Sequence, residues 1–356
     1  MTELAAALHA AVVAQDFAAT PDHWQGGRPL GVHPAIDLAV VVFSQGAPRC
    51  ANVLFSPEHP QGLVAALPND FSALRSLRFD GDVQDAEGSS AAWWPGADWR
   101  ARRFTPLHQM HQMHDSAAPR FVAPYPASLL KLMVAVGVGM ACDRGLCAWP
   151  AAVEPMITIS SNEATDECVA LLHRTCLLGG EQNALNECFV AHGLPTLQLN
   201  DTTPAGGWRN ADGAGVGHIH MTAWDTVRLL WLLDADAPPA PWLPVATPPL
   251  LQPATRDRLR ALLAAQRLDE VLSSGALRGE PGWVAGLPDA PGFAHKTGTT
   301  DNYASDAGIV KTAGTHYIIA VLTTLGSRFA ATPACATTWR LPALGAAVHA
   351  AVESLA

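Results

Sequence analysis

Apolar residues along the chain form two kinds of pattern, helix-like runs and short continuous runs typical of buried strands. An alanine-rich run over 4–18 predicts a first helix, and the run from Ile36 to Phe43 predicts a strand with a hairpin partner at Arg49 to Phe55. Strand-like runs recur at 306–311 and 317–324. We therefore expect one sheet that takes strands from both ends of the chain.

The middle of the chain predicts helices. The apolar run 132–140 continues to Gly145, which supplies a helix stop, and an amphipathic helix follows from Asn162 through Leu172. Between 58 and 116 the pattern weakens into segments rich in proline, glycine and tryptophan, which indicates an irregular insertion.

These patterns divide the chain into three parts. Residues 1–120 would hold the first helix, the hairpin and the insertion, 121–290 a helical lobe, and 291–356 the remaining strands and a C-terminal helix. The first and third parts would share the sheet. At 356 residues and 49% hydrophobic content, the chain can bury a core of this size.

Charge and composition narrow the partners and the compartment. A formal charge of -10 argues against nucleic acid or an anionic membrane, so we expect a small-molecule or short peptide substrate. Residues 1–20 lack the basic start of a secretory signal, and no apolar run is long enough to span a membrane. Seven irregularly spaced cysteines suit free thiols, and together these features predict a cytoplasmic location.

The segment from Tyr125 to Lys131 carries the clearest chemistry. Ser128 and Lys131 are one helical turn apart, so the hydroxyl and the amine share a face. A hydroxyl needs an adjacent base, which a lysine supplies once burial or a neighbouring cation lowers its pKa. Only three of the 22 lysine and arginine residues are lysine. Ser128 is therefore a candidate nucleophile and Lys131 its base.

Three further clusters have both a simple and a functional interpretation. Ser160 to Asn162 precedes a helix and, taken alone, also fits a helix cap. Lys296 to Gly298 precedes two strand-like runs and, taken alone, fits a strand that ends in a glycine turn. The histidines at every third position suit zinc, but no acidic or cysteine partner stands at a typical ligand spacing, so we favour a polar loop and expect no metal or cofactor. These histidines are His108, His111 and His114.

The order Ser-x-x-Lys, Ser-x-Asn, Lys-Thr-Gly resembles that of the penicillin-recognising serine hydrolases, most of all the class A β-lactamase-like branch of β-lactamases and penicillin-binding proteins. The segments from Lys296 to Val310 and from Met221 to Leu230 extend the likeness, and the latter looks like the helix after the family's omega loop. The resemblance implies an α/β (α+β), β-lactamase/transpeptidase-like fold. Its five-stranded, mostly antiparallel sheet would pack against flanking helices beside an all-helical lobe.

The resemblance also implies a role for each residue of the first two motifs. Ser128 would be acylated, and Lys131 would accept or relay its proton. Ser160 would pass a proton to the leaving nitrogen, and Asn162 would hold the amide side chain of the substrate.

The third motif would supply the anion-binding groups. Lys296, Thr297 and Gly298 would lie on an edge strand, where the ammonium and the hydroxyl grip a substrate carboxylate. The backbone N–H groups of Ser128 and Thr299 would form the oxyanion hole.

One departure from the family concerns the release of the acyl group. When the chain is aligned with the family on Pro204, Thr203 stands where hydrolysing members carry a glutamate. No glutamate occurs in this chain from Leu194 through Leu268. A carboxylate or imidazole elsewhere in the loop is a candidate substitute as the base for water. The candidates are Asp201, Asp212, His218 and His220.

We therefore predict a serine hydrolase that acts through acyl-Ser128 on a β-lactam or a related amide or ester. The alternatives are a D,D-peptidase-like enzyme, an esterase or an acyltransferase with slow β-lactam deacylation, a ligand sensor that is acylated once, or a catalytically silent binding protein. The missing glutamate favours the alternatives in which deacylation is slow.

Overall fold

The computed structural model describes residues 1–43, 46–74, 77–79, 121–179 and 183–355. Most of the predicted insertion at 58–116 lies outside these residues, as do the three histidines of the candidate metal cluster. No described helix combines the length and the apolar character needed to cross a bilayer. The described helices are α1 (Glu3–Val13), α2 (Lys131–Asp143), α3 (Val153–Thr158), α4 (Asn162–Arg174), α5 (Ala184–Ala191), α6 (Ala223–Leu233), α7 (Pro253–Ala264) and α8 (Arg340–Leu355).

The central sheet takes its strands from both ends of the chain, as predicted. The described strands are β1 (Pro21–Asp22), β2 (Arg28–Pro29), β3 (Ile36–Val42), β4 (Arg49–Phe55), β5 (Leu63–Val64), β6 (Leu77–Phe79), β7 (Phe121–Ala123), β8 (Gln198–Leu199), β9 (Ile219–His220), β10 (Phe293–Thr299), β11 (Ala304–Lys311) and β12 (His316–Thr323). The sheet order is β10-β11-β12-β3-β4-β5, with every neighbouring pair antiparallel. The five expected strands are present, and the two-residue β5 adds a sixth at one edge. The opposite edge is β10.

Strand β3 shows why the sheet is covered on both faces. All seven of its residues are buried. Because successive side chains point to opposite faces, Ala39 and Val41 join a core with α2 and α6, whereas Leu38 and Val40 join a core with α1 and α8. The continuous apolar run in the sequence is the pattern expected of such a two-sided strand.

Helix α2 forms the centre of the helical lobe, and its residues from Lys131 to Ala141 are all buried. The helix ends near Gly145, which takes the left-handed φ of 69° expected of a glycine stop. The α-helix begins at Lys131 rather than at Ser128, because Ala127–Leu130 forms a tighter 3-10 turn. The first helix is also shorter than predicted: α1 stops at Val13, before the left-handed turn at Asp16.

Candidate active site

Ser128 lies in the 3-10 turn that connects β7 to α2. Ala127, just before it, has a left-handed φ of 50°. That conformation costs a non-glycine residue about 1–3 kcal/mol and persists where the surrounding structure enforces it, often at functional sites. The Leu129 N–H donates to Pro126 O at 3.2 Å, which closes the turn. The chain therefore holds the half-buried Ser128 in a constrained turn at the entry to the helical lobe.

Lys131 is buried one helical turn beyond Ser128. Its Nζ lies 2.6 Å from Ser160 O, 3.0 Å from Ser160 Oγ and 2.9 Å from Asn162 Oδ1. Burial lowers the pKa of Lys131 to about 6, and the nearby cations Lys296 and Arg209 act in the same direction. The amine is therefore largely neutral at pH 7.

A neutral amine has two N–H donors and one lone pair, which assigns the three contacts of Lys131. The two oxygens that can only accept, Ser160 O and Asn162 Oδ1, take the N–H groups. The Ser160 hydroxyl then donates to the lone pair. Within the described chain no hydrogen bond joins Lys131 to Ser128. The amine is thus aligned for proton exchange with Ser160 in the resting structure.

The triplet before α4 combines a helix cap with groups that reach the amine. Ser161 is the cap, because its side chain accepts the Ala164 N–H at 3.2 Å. Ser160 has a left-handed φ of 57° and contacts Lys131, as does Asn162. The simple interpretation of this triplet therefore holds for its middle residue alone.

Edge strand β10 lies directly against the Ser128 turn. A Cβ atom on Gly298 would stand 2.5 Å from both Leu129 N and Pro126 O, closer than real contacts allow. The Ser305 hydroxyl also bridges the two elements, donating to Pro126 O and lying 3.3 Å from Gly298 O. Glycine is therefore required here so that the backbone of β10 can approach the turn.

Every second residue of β10 directs its backbone N–H and C=O groups away from β11, towards the open edge of the sheet. Lys311 N–H donates to Gly292 O at 2.9 Å, and Thr300 N–H to Tyr303 O at 2.9 Å. Because bonded pairs alternate along an antiparallel ladder, the N–H of Thr299 points away from β11. The Thr299 Oγ1 is buried without a hydrogen-bond partner in the described part of the chain. The Thr299 N–H therefore faces the open edge beside the turn, whereas the Oγ1 is enclosed by the protein.

Lys296 is fully buried on the same strand. Its Nζ donates to Thr297 O at 2.8 Å. Burial lowers the pKa of Lys296 to about 7, although the negative charges of Asp306 and Glu270 act against this shift. Around neutral pH the side chain is therefore divided between its ammonium and amine forms.

His295 anchors this strand through a buried ionic cluster. Its Nδ1 lies 2.7 Å from Asp306 Oδ1 and its Nε2 lies 3.1 Å from Asp269 Oδ1. Since carboxylates only accept, both ring nitrogens donate and the imidazole is a cation. Burial alone would lower the pKa of His295, but the two carboxylates outweigh it and raise the pKa to about 9.

Thr203 stabilises a turn within the loop that follows β8. The Thr203 hydroxyl accepts the Gly207 N–H at 2.9 Å, and the Thr203 N–H donates to Gly207 O at 2.8 Å. A Cβ atom on Gly206 would stand 2.3 Å from the carbonyl oxygen of Asp166. The loop therefore lies directly on α4, with its threonine engaged internally.

Two of the four candidate bases for water are also engaged within the loop region. Asp212 accepts the backbone N–H groups of Trp208 at 3.2 Å and Arg209 at 2.9 Å. His220 is buried, with its Nε2 3.0 Å from Gly217 O. These side chains hold the loop in shape.

The other two candidates, Asp201 and His218, are hydrogen-bonded to each other. Their position follows from the neighbouring Thr202, whose hydroxyl lies 3.0 Å from His173 Nε2 near the C-terminal end of α4. His173 is eleven residues beyond Asn162, which contacts Lys131, and hence roughly 16 Å further along the helix. The pair therefore lies at the far end of α4 from Lys131.

The loop group that faces Lys131 is the indole of Trp208, which the sequence did not point to. Its ring centroid lies 5.4 Å from Lys131 Nζ, and the residue is only 5% exposed. The indole N–H donates to Asp166 Oδ1 at 2.8 Å, and Arg209 Nη2 donates to both Asp166 oxygens at 2.7 and 2.6 Å. The sequence contained one indication that Asp166 lies near Lys131. Asp166 follows Asn162 by four residues, which places both side chains on one face of α4.

Comparison with known families assigns the chain to a class of proteins. The model of the "Beta-lactamase enzyme family" matches residues 147–338, which is more than half of the chain. The chain therefore belongs to the beta-lactamase enzyme family, within the penicillin-recognising serine hydrolases. The matched region contains Asn162 and Lys296 and begins after Ser128 and Lys131.

Solved structures support the fold. A beta-lactamase from Sphaerobacter thermophilus DSM 20745 is 14% identical, with 98% of this chain and 97% of that chain covered and a TM-score of 0.51. A protein described as PBP-A is 22% identical over 65% of this chain and 81% of its own, with a TM-score of 0.43. At these identities the likeness concerns the fold, and the fold comparison rests on the Sphaerobacter structure. The comparison with curated proteins finds no match.

Proposed function

We propose that the protein is a serine hydrolase that carries the acyl group of its substrate on Ser128. The observation that supports this most is the buried, neutral Lys131, bonded to Ser160 and one turn from the serine. A general base must be unprotonated near the working pH, and burial gives this amine that property.

In the proposed reaction the Ser128 oxygen attacks the substrate carbonyl while its proton moves to Lys131. Catalytic hydrogen bonds often tighten only when substrate binds, so the present contacts of the amine are compatible with this transfer. The ammonium then passes a proton through the Ser160 hydroxyl to the leaving nitrogen or oxygen. The N–H groups of Ser128 and Thr299 would stabilise the developing oxyanion.

The proposed substrate is a β-lactam or a related amide or ester. Lys296 and Thr297 would bind a carboxylate, and Asn162 would hold an amide side chain. The Thr299 N–H, which points away from β11 on the open edge of the sheet, supports a polar ligand group at this position. The formal charge of -10 favours a small molecule over nucleic acid.

A second candidate is an enzyme of the same chemistry in which a β-lactam is deacylated slowly, namely a D,D-peptidase-like enzyme, an esterase, an acyltransferase or an acylated ligand sensor. It is favoured by the indole of Trp208, because in the described loop this side chain, rather than a carboxylate, faces Lys131. Rapid turnover of p-nitrophenyl esters with slow turnover of a chromogenic β-lactam would support this candidate. Equally rapid turnover of both would exclude it.

The proposed nucleophile is tested by covalent labelling. We expect Ser128→Ala to abolish the mass increase of the intact protein after incubation with benzylpenicillin or a fluorophosphonate, because the hydroxyl alone provides the nucleophile. Circular dichroism would establish that the variant is folded, and Ser354→Ala, on α8, is the matched control. Undiminished labelling of the Ser128 variant would disprove the assignment.

A further inference from the structure

The side chain of Trp208 covers the amine of Lys131 on the side that faces the loop. The face of the indole lies over Nζ, and Lys131 as a whole is inaccessible to solvent. We propose that Trp208 determines the acyl acceptor: by covering Lys131 it keeps water from this general base, so that acyl-Ser128 reacts with an amine instead. This inference rests on the proposed acyl-Ser128 function.

The loop is built to hold the indole in this place. Asp166 accepts the indole N–H and binds Arg209 through both carboxylate oxygens. The carboxylate of Asp212 fixes the next two backbone N–H groups, those of Trp208 and Arg209. Gly206 brings the loop backbone against Asp166. The indole therefore has little freedom to swing away and admit water.

An amine acceptor depends less than water on a general base, because it is the stronger nucleophile and can attack before it loses its proton, so it does not need access through the loop. It can occupy the position that the leaving group has vacated, beside Ser160, and give up its proton by the reverse of the departure route. The amine nitrogen forms a bond to the acyl carbon, the ester bond to Ser128 Oγ breaks, and the amine proton travels through Ser160 and Lys131 to that oxygen. No oxidant, metal or further base is required.

The test is the partition of a single acyl-enzyme between two products. The enzyme is incubated with p-nitrophenyl phenylacetate and glycinamide, and the ratio of N-phenylacetylglycinamide to phenylacetic acid is measured, with the Ser128→Ala reaction subtracted as background. We expect the amide to dominate with the wild type. We expect Trp208→Ala to lower the ratio by as much as about 10²-fold, because water admitted beside Lys131 gains a general base.

Trp242 provides a matched control in the same lobe. Its indole N–H also donates to a protein oxygen, His192 O at 3.0 Å, and its ring also covers a buried cation, Arg228 at 4.4 Å. Trp242→Ala should leave the partition ratio unchanged. A general loss of stability lowers the amount of acyl-enzyme, whereas the ratio reports only what that intermediate reacts with.

Asp166→Ala provides a second test that does not depend on the folding of Trp208→Ala. It leaves the indole in the protein but removes the acceptor of the indole N–H and the partner of Arg209. We therefore expect it to lower the ratio of amide to acid as well. An unchanged ratio in the folded variants, with normal formation of acyl-enzyme, would overturn the role of Trp208. Absence of any acyl-enzyme in the wild type would instead contradict the proposed function, and this inference with it.

Discussion

Two buried lysines impose opposite requirements on the candidate site. In the proposed reaction Lys131 must be neutral to accept a proton, whereas Lys296 must be charged to bind a carboxylate. Burial lowers the pKa of Lys131 to about 6 and that of Lys296 to about 7. The active form therefore requires the first group to be unprotonated and the second to be protonated, which confines it to a narrow pH range.

This arrangement predicts a bell-shaped pH profile of kcat/KM for an anionic β-lactam. Activity is lost below about pH 6 as Lys131 gains its proton, and above about pH 7 as Lys296 loses its own. The two amines interact, so the apparent values belong to the pair. A neutral ester should keep the acid limb and lack the alkaline limb. Identical alkaline limbs for both substrates would contradict the assigned role of Lys296.

Residue identities in the sequence indicated which groups could do chemistry, but not which groups meet. Ser128 and Lys131 were recognisable because their spacing matches a helical turn. The contact of Lys131 with Trp208 joins residues 77 positions apart through an irregular loop, and no local periodicity indicates such a contact. The same holds for His295 between Asp269 and Asp306, which depends on how β10 and β11 pair.

At the scale of elements, the site is the junction between the edge strand β10 and the turn before α2. Gly298→Ala would force a Cβ atom to within 2.5 Å of the backbone of that turn. We expect it to destabilise the fold by about 1–3 kcal/mol and to reduce acylation sharply, since overpacking displaces the strand. Urea unfolding and a labelling time course would measure both effects.

Gly314→Ala is the matched control, because a Cβ atom on Gly314 meets nothing within 4 Å. Wild-type stability and acylation in both glycine variants would show that β10 does not lie against the turn in this way. The sequence placed Gly298 at the end of a strand correctly. The need for glycine there comes from a neighbour about 170 residues earlier in the chain, which strand patterns do not indicate.

For the whole molecule, the sequence predicted the sheet well because its strands carry long apolar runs that only a two-sided core explains. The short β5, with two residues, has no such signal, so the sixth strand was not expected. The described structure contains seven free cysteines, in agreement with the expectation from their spacing. Only Cys142 and Cys147 approach each other among them, with 3.6 Å between the sulfur atoms.

We therefore predict seven reactive thiols per chain when the protein is purified without reductant and titrated in denaturant. Burial raises the pKa of the Cys142 thiol to about 12, so little thiolate is present to start oxidation. Mass spectrometry of peptides from the alkylated protein would locate any thiol that is missing. A stable native disulfide between Cys142 and Cys147 would contradict this prediction.

The central claim is that Ser128 is acylated readily and that no group of the loop assists water in releasing the acyl group. The most direct measurement is a stopped-flow trace with a chromogenic β-lactam. We predict a burst that approaches one equivalent of enzyme, followed by a slow steady state, since the missing base costs deacylation about 10²- to 10⁴-fold. Steady hydrolysis without a burst, at a turnover above about 10² s⁻¹ and hence beyond the enzyme median, would contradict it.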